Sequence, residues 1–274
     1  VRADRWGPKG HVLVHREALA NLPDTMPDFF RAAGSDFDAM ASLPDGWKHK
    51  SAPHLKAATS PDHYFDCERW QTNPLPPDRY SMTTAADKAG LSAPQVGLLP
   101  YRIAELYEQL RDDLALWRNA TAGTQKALHF ERNAVYSAAL LGHFVGDASQ
   151  PLHSTVHTDG WDPAYENPNQ YRTKGHLHSD FETKLVTLVQ QDQVHQRVGP
   201  LQTLQGDPLE WSMGMIRESN DKVIPLYELE KSGALNPKKP TPEGLSFVAE
   251  RIAKGAQNLR DVWFSAWLES AALA

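Results

Sequence analysis

The sequence contains a single cysteine, Cys67, so no disulfide can form within the chain. No apolar run approaches the roughly 20 residues that cross a bilayer, and residues 1–11 lack the apolar stretch of a signal peptide. We therefore expect a globular chain without a membrane anchor, which is either cytosolic or already processed. Cys67 is expected to be a small, partly buried residue.

An excess of positive charge is also absent. The 274 residues include 28 lysines and arginines against 34 aspartates and glutamates, which gives a formal net charge of −6. Taken alone, this charge argues against a broad electrostatic surface for nucleic acid. Bound divalent cations would offset the charge, so an anionic substrate remains compatible with the composition.

Strand-like alternation, internal repeats, G-x-S-x-G elbows and phosphate-binding P-loops are all missing. Helical periodicity instead predicts helices over 10–22, 27–43, 101–117, 124–148, about 177–197, 207–231 and 241–271. Residues 44–94 and 155–175 are rich in proline and asparagine, and loops of such length are usually functional. We expect an all-α fold, one domain spanning 1–274, in which long helices pack around residues 124–148.

The segment HFVGDASQPLH, residues 143–153, combines histidines and an aspartate at helical spacing. His143 and Asp147 are four residues apart, so their side chains share one face of a helix. Pro151 should end that helix, which lets His153 point elsewhere. His178 and Glu182 repeat the four-residue spacing. A surface hydrogen bond would explain one such pair, whereas two buried pairs with a third histidine favour zinc, which binds nitrogen and oxygen ligands.

This segment resembles the signature of the zinc-dependent phospholipase C and S1/P1 nuclease superfamily, in which histidine, aspartate, Gln-Pro and histidine follow at this spacing. Four further segments resemble family motifs and occur in the family's order: WGPKGH, PDGWK, PDHYFD and GHLHSDFE. Together the matches extend over residues 6–182, and the helices beyond them could complete the family's all-α fold.

The resemblance implies three Zn²⁺ ions in a cleft lined by loops. The first would be held by Asp45, His63, His143 and Asp147, the second by His153, His178 and Glu182, and the third by backbone atoms of Trp6 with His11 and Asp147. Asp45, Asp147 and Glu182 are the predicted catalytic residues. His49 is an alternative to Asp45, His178 is preferred to His176, and His15 is expected on a helix surface.

Trp6 raises a separate question, because VRADR precedes it. If those five residues are removed, the amine and the carbonyl of Trp6 could both bind zinc. If they remain, only its carbonyl can do so, and the third ion would bind more weakly.

The activity implied is hydrolysis of phosphodiester bonds by a zinc-bound hydroxide. A glutamate at position 182, closing the second zinc site, resembles the phospholipases C, so phospholipase C activity is the leading hypothesis. Tyr64 and Trp161 are candidate substrate-binding residues. The sequence differs from those phospholipases at Ser60, where they have an aromatic residue.

The alternatives are a single-strand nuclease or 3′-nucleotidase of the S1/P1 type, and a non-catalytic module that zinc only stabilises. The expected partner is a phosphodiester, either a phospholipid headgroup or a nucleic acid. Transient contact with a membrane surface is allowed, and no obligate protein partner is indicated. The resemblance also implies a secreted or periplasmic location.

Overall fold

The structure is a computed structural model, and it describes residues 7–274. The only pairing of extended backbone within this range is an isolated bridge between Phe65 and Gly97. The remaining regular structure in the described range is helical, as the sequence predicts. None of the described helices has the length and hydropathy needed to cross a membrane.

Most helices follow one another through short connections, and the longest segments without a helix are residues 154–176 and 64–78. The α-helices are α1 (Pro8–Ala20), α2 (Asp28–Ala32), α3 (Gly34–Met40), α4 (Leu43–Gly46), α5 (Pro53–Thr59), α6 (Arg79–Lys88), α7 (Ala93–Val96), α8 (Leu99–Arg118), α9 (Gln125–Ala148), α10 (Leu177–Ser179), α11 (Gln191–His195), α12 (Pro208–Asn220), α13 (Val223–Lys231) and α14 (Pro242–Ser270). Short 3₁₀ helices cover Ser60–His63, Pro151–His153 and Val186–Leu188, and a π-helix covers Asp180–Leu185.

Helix α9 is the central element, as the periodicity of residues 124–148 predicts. It begins at Thr124, whose side chain accepts a hydrogen bond from the amide of Ala127. Its last 15 residues are buried on every face except at Tyr136, which is the mark of a helix surrounded by others. Helices α1, α8, α12 and α14 all contact it.

Helix α14 begins close to residue 241, where the periodicity predicts a helix to start. Thr241 caps its first turn by accepting a hydrogen bond from the amide of Gly244, and Pro242 occupies the first helical position. The helix then runs along both α1 and α9. It supplies a wall to the core through residues such as Ile252, Leu259 and Trp263, which are fully buried.

Residues 207–231 form two helices, so the prediction of a single one is wrong. Helix α12 ends at Asn220 and α13 begins at Val223. Pro225 explains the break, because a proline inside a continuous helix would clash with the carbonyl four residues earlier and donate no hydrogen bond. Within the first turn of α13, that missing donor costs nothing.

Residues 177–197 also divide, into α10, the π-helix, a 3₁₀ turn and α11. The last of these starts anew because Gln190 and Gln193 form a reciprocal capping box, with Val189 extended before it. The predicted helix over 27–43 is likewise divided, since α2 ends at Ala32, α3 covers Gly34–Met40 and α4 begins at Leu43.

Helix α1 crosses α9 at unusually close range, and two glycines permit the contact. A Cβ atom at Gly142 would lie 2.3 Å from Nε2 of His15, and one at Gly146 would lie 3.0 Å from Nδ1 of His11. His15 is therefore fully buried rather than on a helix surface, which corrects the prediction. Its ring reaches the carbonyl oxygens of His11 and Ala139 at 2.8 and 3.1 Å.

Candidate metal centre

The carboxyl-terminal end of α9 forms the centre of the site. Helix α9 stops at Ala148, and Pro151 begins a 3₁₀ turn that ends at His153, as the signature predicts. Asp147 is fully buried on the last turn of the helix, and His153 is 2% exposed just beyond it. One short segment therefore presents side chains in two directions.

A first group of ligand-type atoms joins three separate elements. Asp45 comes from α4, His63 from the 3₁₀ helix Ser60–His63, and His143 from α9, and their nearest donor atoms all lie within 4.8 Å of one another. Asp147 belongs to the same group, since its Oδ2 is 2.9 Å from Nδ1 of His63 and 3.3 Å from Nε2 of His143.

A second group consists of His153, His178 and Glu182. The Nε2 atoms of the two histidines are 3.1 Å apart, and Oε2 of Glu182 is 3.0 Å from Nε2 of His178. The predicted pairing of His178 with Glu182 is present, although a π-helix rather than an α-helix carries Glu182. Such π segments occur frequently at functional sites.

A third group adjoins the first and shares His143 and Asp147 with it. His11 on α1 has Nε2 3.6 Å from Oδ1 of Asp147, and its ring stacks on that of His143 with centroids 3.9 Å apart. Trp6, the remaining predicted ligand, lies outside the described residues. Gly7, which follows it, donates a backbone hydrogen bond of 2.8 Å to the carbonyl of Glu182.

The alternatives raised by the sequence lie apart from these groups. His49 is exposed and its Nδ1 is 2.6 Å from Oγ of Ser51, whereas Asp45 lies in the first group. His176 is exposed, whereas His178 is 1% exposed within the second group. The structure therefore places Asp45 and His178, but not His49 or His176, beside the other candidate ligands.

Burial and neighbouring charge shift the protonation of the site. Burial lowers the pKa of His11 and His63 well below the usual value for histidine. Burial also raises the pKa of the Asp147 carboxyl to about 6. For His143 burial lowers the pKa, but the charges of Asp147 and Asp45 outweigh this and raise it. The neutral rings of His11 and His63 can offer lone pairs to a metal at neutral pH.

These residues fit zinc. Among the described residues, Asp147 pairs only with histidines, and a fully buried carboxylate without a cation is costly. Both ring nitrogens of His11 and Oδ1 of Asp147 are buried and form no hydrogen bond with described residues. Nδ1 of His143 is 2.9 Å from the carbonyl of Ala41, which orients Nε2 into the site as in metal-binding histidines.

The structure adds two residues that the sequence analysis did not single out. Lys48 places Nζ 2.8 Å from Oδ1 of Asp45, beside the first group. Gln150 is fully buried, and its Nε2 donates to Oε2 of Glu182 at 3.2 Å. Gln150 belongs to the Gln-Pro pair of the quoted signature, and this membership could have identified it as a residue of the site. Lys48 was likewise within a quoted segment, as the last residue of PDGWK, three residues after Asp45.

Tyr64 and Trp161, the candidate substrate-binding residues, are 7% and 8% exposed. The hydroxyl of Tyr64 donates to the carbonyl of Pro94 at 2.6 Å. One face of Trp161 is stacked on His157, with ring centroids 3.7 Å apart. The packing role of both rings is visible, whereas their role in substrate binding stays a prediction.

Comparison with known proteins agrees with this geometry. The sequence model of the family described as S1/P1 Nuclease matches residues 6–257, which is most of the chain and includes every member of the three groups. A search of curated proteins finds no match. Members of the matched family are zinc-dependent phosphodiesterases and are generally secreted. The chain therefore belongs to the S1/P1 nuclease family and is a metal-dependent phosphodiester hydrolase.

Proposed function

We propose that the substrate is single-stranded nucleic acid or a 3′-nucleotide. The observation that supports this choice is that the family model matching residues 6–257 is described as S1/P1 Nuclease. A phosphodiester carries one negative charge, and a centre rich in metal ions attracts it without a basic surface. The net charge of −6 is therefore compatible with a nucleic-acid substrate.

The proposal assigns three zinc ions to the three groups. Asp45, His63, His143 and Asp147 would hold the first; His153, His178 and Glu182 would hold the second; His11, Asp147 and backbone atoms of Trp6 would hold the third. Bound zinc would supply an activated water and offset negative charge on the phosphodiester. Asp45, Asp147 and Glu182 are the proposed catalytic residues because each would contact an ion.

The two oxygens of Asp147 support its proposed sharing between ions. Oδ2 faces His63 and His143, whereas Oδ1 is 3.6 Å from His11 and 3.3 Å from Nδ1 of His153. One carboxylate can therefore serve two neighbouring positions. An imidazole in its place would offer a second ring nitrogen pointing the opposite way, so it could not do the same.

Lys48 would assist by charge. Its side chain is 11% exposed and places Nζ 2.8 Å from Oδ1 of Asp45, so its ammonium group lies beside the first group. A cation at that position can contact an oxygen of the substrate phosphate and stabilise charge that develops during cleavage. We include Lys48 as a phosphate-binding residue on this ground.

Phospholipase C activity is the second candidate, and Glu182 favours it. In the phospholipases that the sequence resembles, the last ligand of the second zinc site is also a glutamate. The experiment that separates the candidates is an assay of the zinc-loaded protein on single-stranded DNA, 3′-nucleotides and phosphatidylcholine micelles. Release of 5′-nucleotides from DNA, or of nucleoside and inorganic phosphate from 3′-nucleotides, without diacylglycerol supports the proposal, and the reverse result overturns it in favour of phospholipase C.

A centre that only stabilises the fold is the third reading, and His153→Ala tests it. The family match favours catalysis. If the metal is catalytic, the variant should retain its helical circular dichroism spectrum while losing nearly all activity. Zinc binding by the wild-type protein without cleavage of any of these substrates would support the structural reading instead.

A further inference from the structure

Two helices that contribute no proposed ligand, α12 and α14, donate hydrogen bonds to backbone carbonyls at the end of α9, close to Asp147. The last carbonyl oxygens of an α-helix lack partners within the helix. At the end of α9, Oγ of Ser219 donates to the carbonyl of Ala148 at 2.5 Å, and Nε of Arg251 donates to the carbonyl of Ser149 at 3.0 Å. Ser219 belongs to α12 and Arg251 to α14.

Hydrogen bonds to neighbouring side chains fix the guanidinium group of Arg251. It is fully buried, which is rare for an arginine and requires that its donors be satisfied. Its two terminal nitrogens form a fork onto Glu218, at 2.8 and 2.6 Å, and one of them also reaches Oγ of Ser219 at 3.0 Å. A bidentate pair of this kind fixes the guanidinium in one orientation.

The positive charge of Arg251 and the close packing of α14 against Ser149 also stabilise the end of α9. A cation at the carboxyl-terminal end of a helix interacts favourably with the helix dipole. One turn beyond Arg251, a Cβ atom at Gly255 would lie 2.6 Å from Oγ of Ser149. Helix α14 therefore contacts Ser149 twice, once through a charged donor and once through direct packing.

We propose that Arg251 is a positioning residue for the metal centre. The carbonyl that it holds lies two residues after Asp147 and four before His153, which belong to different metal groups. By fixing Ser149, Arg251 sets the direction in which the chain leaves α9, and hence the separation of the two ligands. Gln150, the next residue, carries the constraint further through its hydrogen bond to Glu182. The inference rests on the proposed assignment of zinc to these residues.

The test compares Arg251→Met with Arg260→Met. Arg260 is a matched control because it is 3% exposed on the same helix, pairs with Asp261 and donates to the carbonyls of Gly199 and Pro200, away from the metal groups. Both variants should lose thermal stability. Only Arg251→Met should bind zinc about 10- to 100-fold more weakly, the range observed when residues supporting metal ligands are removed.

Zinc affinity is measured by competition with a chromophoric chelator, and kcat is then measured at saturating zinc. Equal zinc affinity in the two variants overturns the proposal, because Arg251 would then be structural only. Arg251→Lys should recover part of the lost affinity, since lysine can still donate to Ser149 but cannot fork onto Glu218.

Ser219→Ala decides the question if Arg251→Met does not fold. This variant removes the bond to Ala148 and one support of Arg251 while leaving the buried charge paired. We expect about 10-fold weaker zinc binding, and an unchanged affinity would overturn the proposal. Wild-type protein that binds no zinc would contradict the proposed function instead, so the two failures are distinguishable.

Discussion

Gly146 and His11 lie in direct contact, so that a Cβ atom at position 146 would come within 3.0 Å of Nδ1 of His11. The two residues belong to α9 and α1, which approach closely only because α9 has glycine at this point and one turn earlier, at Gly142. The position of a proposed metal ligand thus depends on the absence of a side chain on the helix opposite.

Gly146→Ala should therefore disturb the third metal group. In an unobstructed helix, alanine stabilises by about 1 kcal/mol relative to glycine, but here the new methyl group must displace His11. We expect no gain in stability and the loss of one zinc ion, measured by calorimetry and by mass spectrometry of bound metal. Gly214→Ala is the control, because it lies on α12 with nothing near its added methyl, and it should stabilise by about 0.5–1 kcal/mol.

Asp147→Asn should abolish activity with little change in shape. The amide matches the carboxylate in size but removes the charge that two ions would share, so zinc affinity should fall by at least about 100-fold. Isothermal titration with zinc measures this loss. Asp113→Asn, which alters a carboxylate bonded to Ser137 away from the site, is the control. Full zinc binding by Asp147→Asn would remove Asp147 from the proposed ligands.

Lys48→Met should reduce kcat/KM without releasing zinc. The loss of a cation that faces the substrate phosphate should cost about 10²-fold in rate, and steady-state kinetics measure it. Lys48→Arg should retain part of the activity because the charge remains. Lys50→Met is the control, since Lys50 is exposed two residues further on. Equal activity in Lys48→Met and Lys50→Met would contradict the proposed role.

Chelation should lower activity and thermal stability together. A ligand at 100 times its dissociation constant stabilises the folded state by about 2.7 kcal/mol, and for a chain of this size that corresponds to about 5–10 °C in Tm. Differential scanning fluorimetry before and after treatment with EDTA measures the shift, and added Zn²⁺ but not Mg²⁺ should reverse it. An activity that survives exhaustive chelation would contradict the metal centre altogether.

Local features of the fold were readable from the sequence, whereas contacts between distant segments were not. The end of α9 at Ala148 follows from Pro151, and the start of α14 follows from Thr241 and Pro242. The division between α12 and α13 was missed because apolar periodicity continues across it, although Pro225 was present as a signal. The π-helix around Glu182 was missed because it has no distinct sequence pattern.

In the metal groups too, local spacing is visible in the sequence and contacts between distant segments are not. The i,i+4 pairs could be found because they are local, and the distant ligands were found through the resemblance of their flanking motifs. The burial of His15 was not foreseen, because it depends on Gly142 from another helix. Arg251 has no signal in the sequence for the same reason, since its partners lie on other helices, whereas Lys48 contacts Asp45 only three residues away.

The attachment of α14 to the end of α9 bears on when the centre can take up metal. The proposed ligands are spread from His11 to Glu182, and Arg251 enters the ribosome-made chain well after the last of them. A growing chain that already contains every ligand still lacks the helix that fastens Ser149. Because metal affinity is coupled to folding, the proposed role of Arg251 predicts that tight zinc binding requires α14 to have packed against the end of α9.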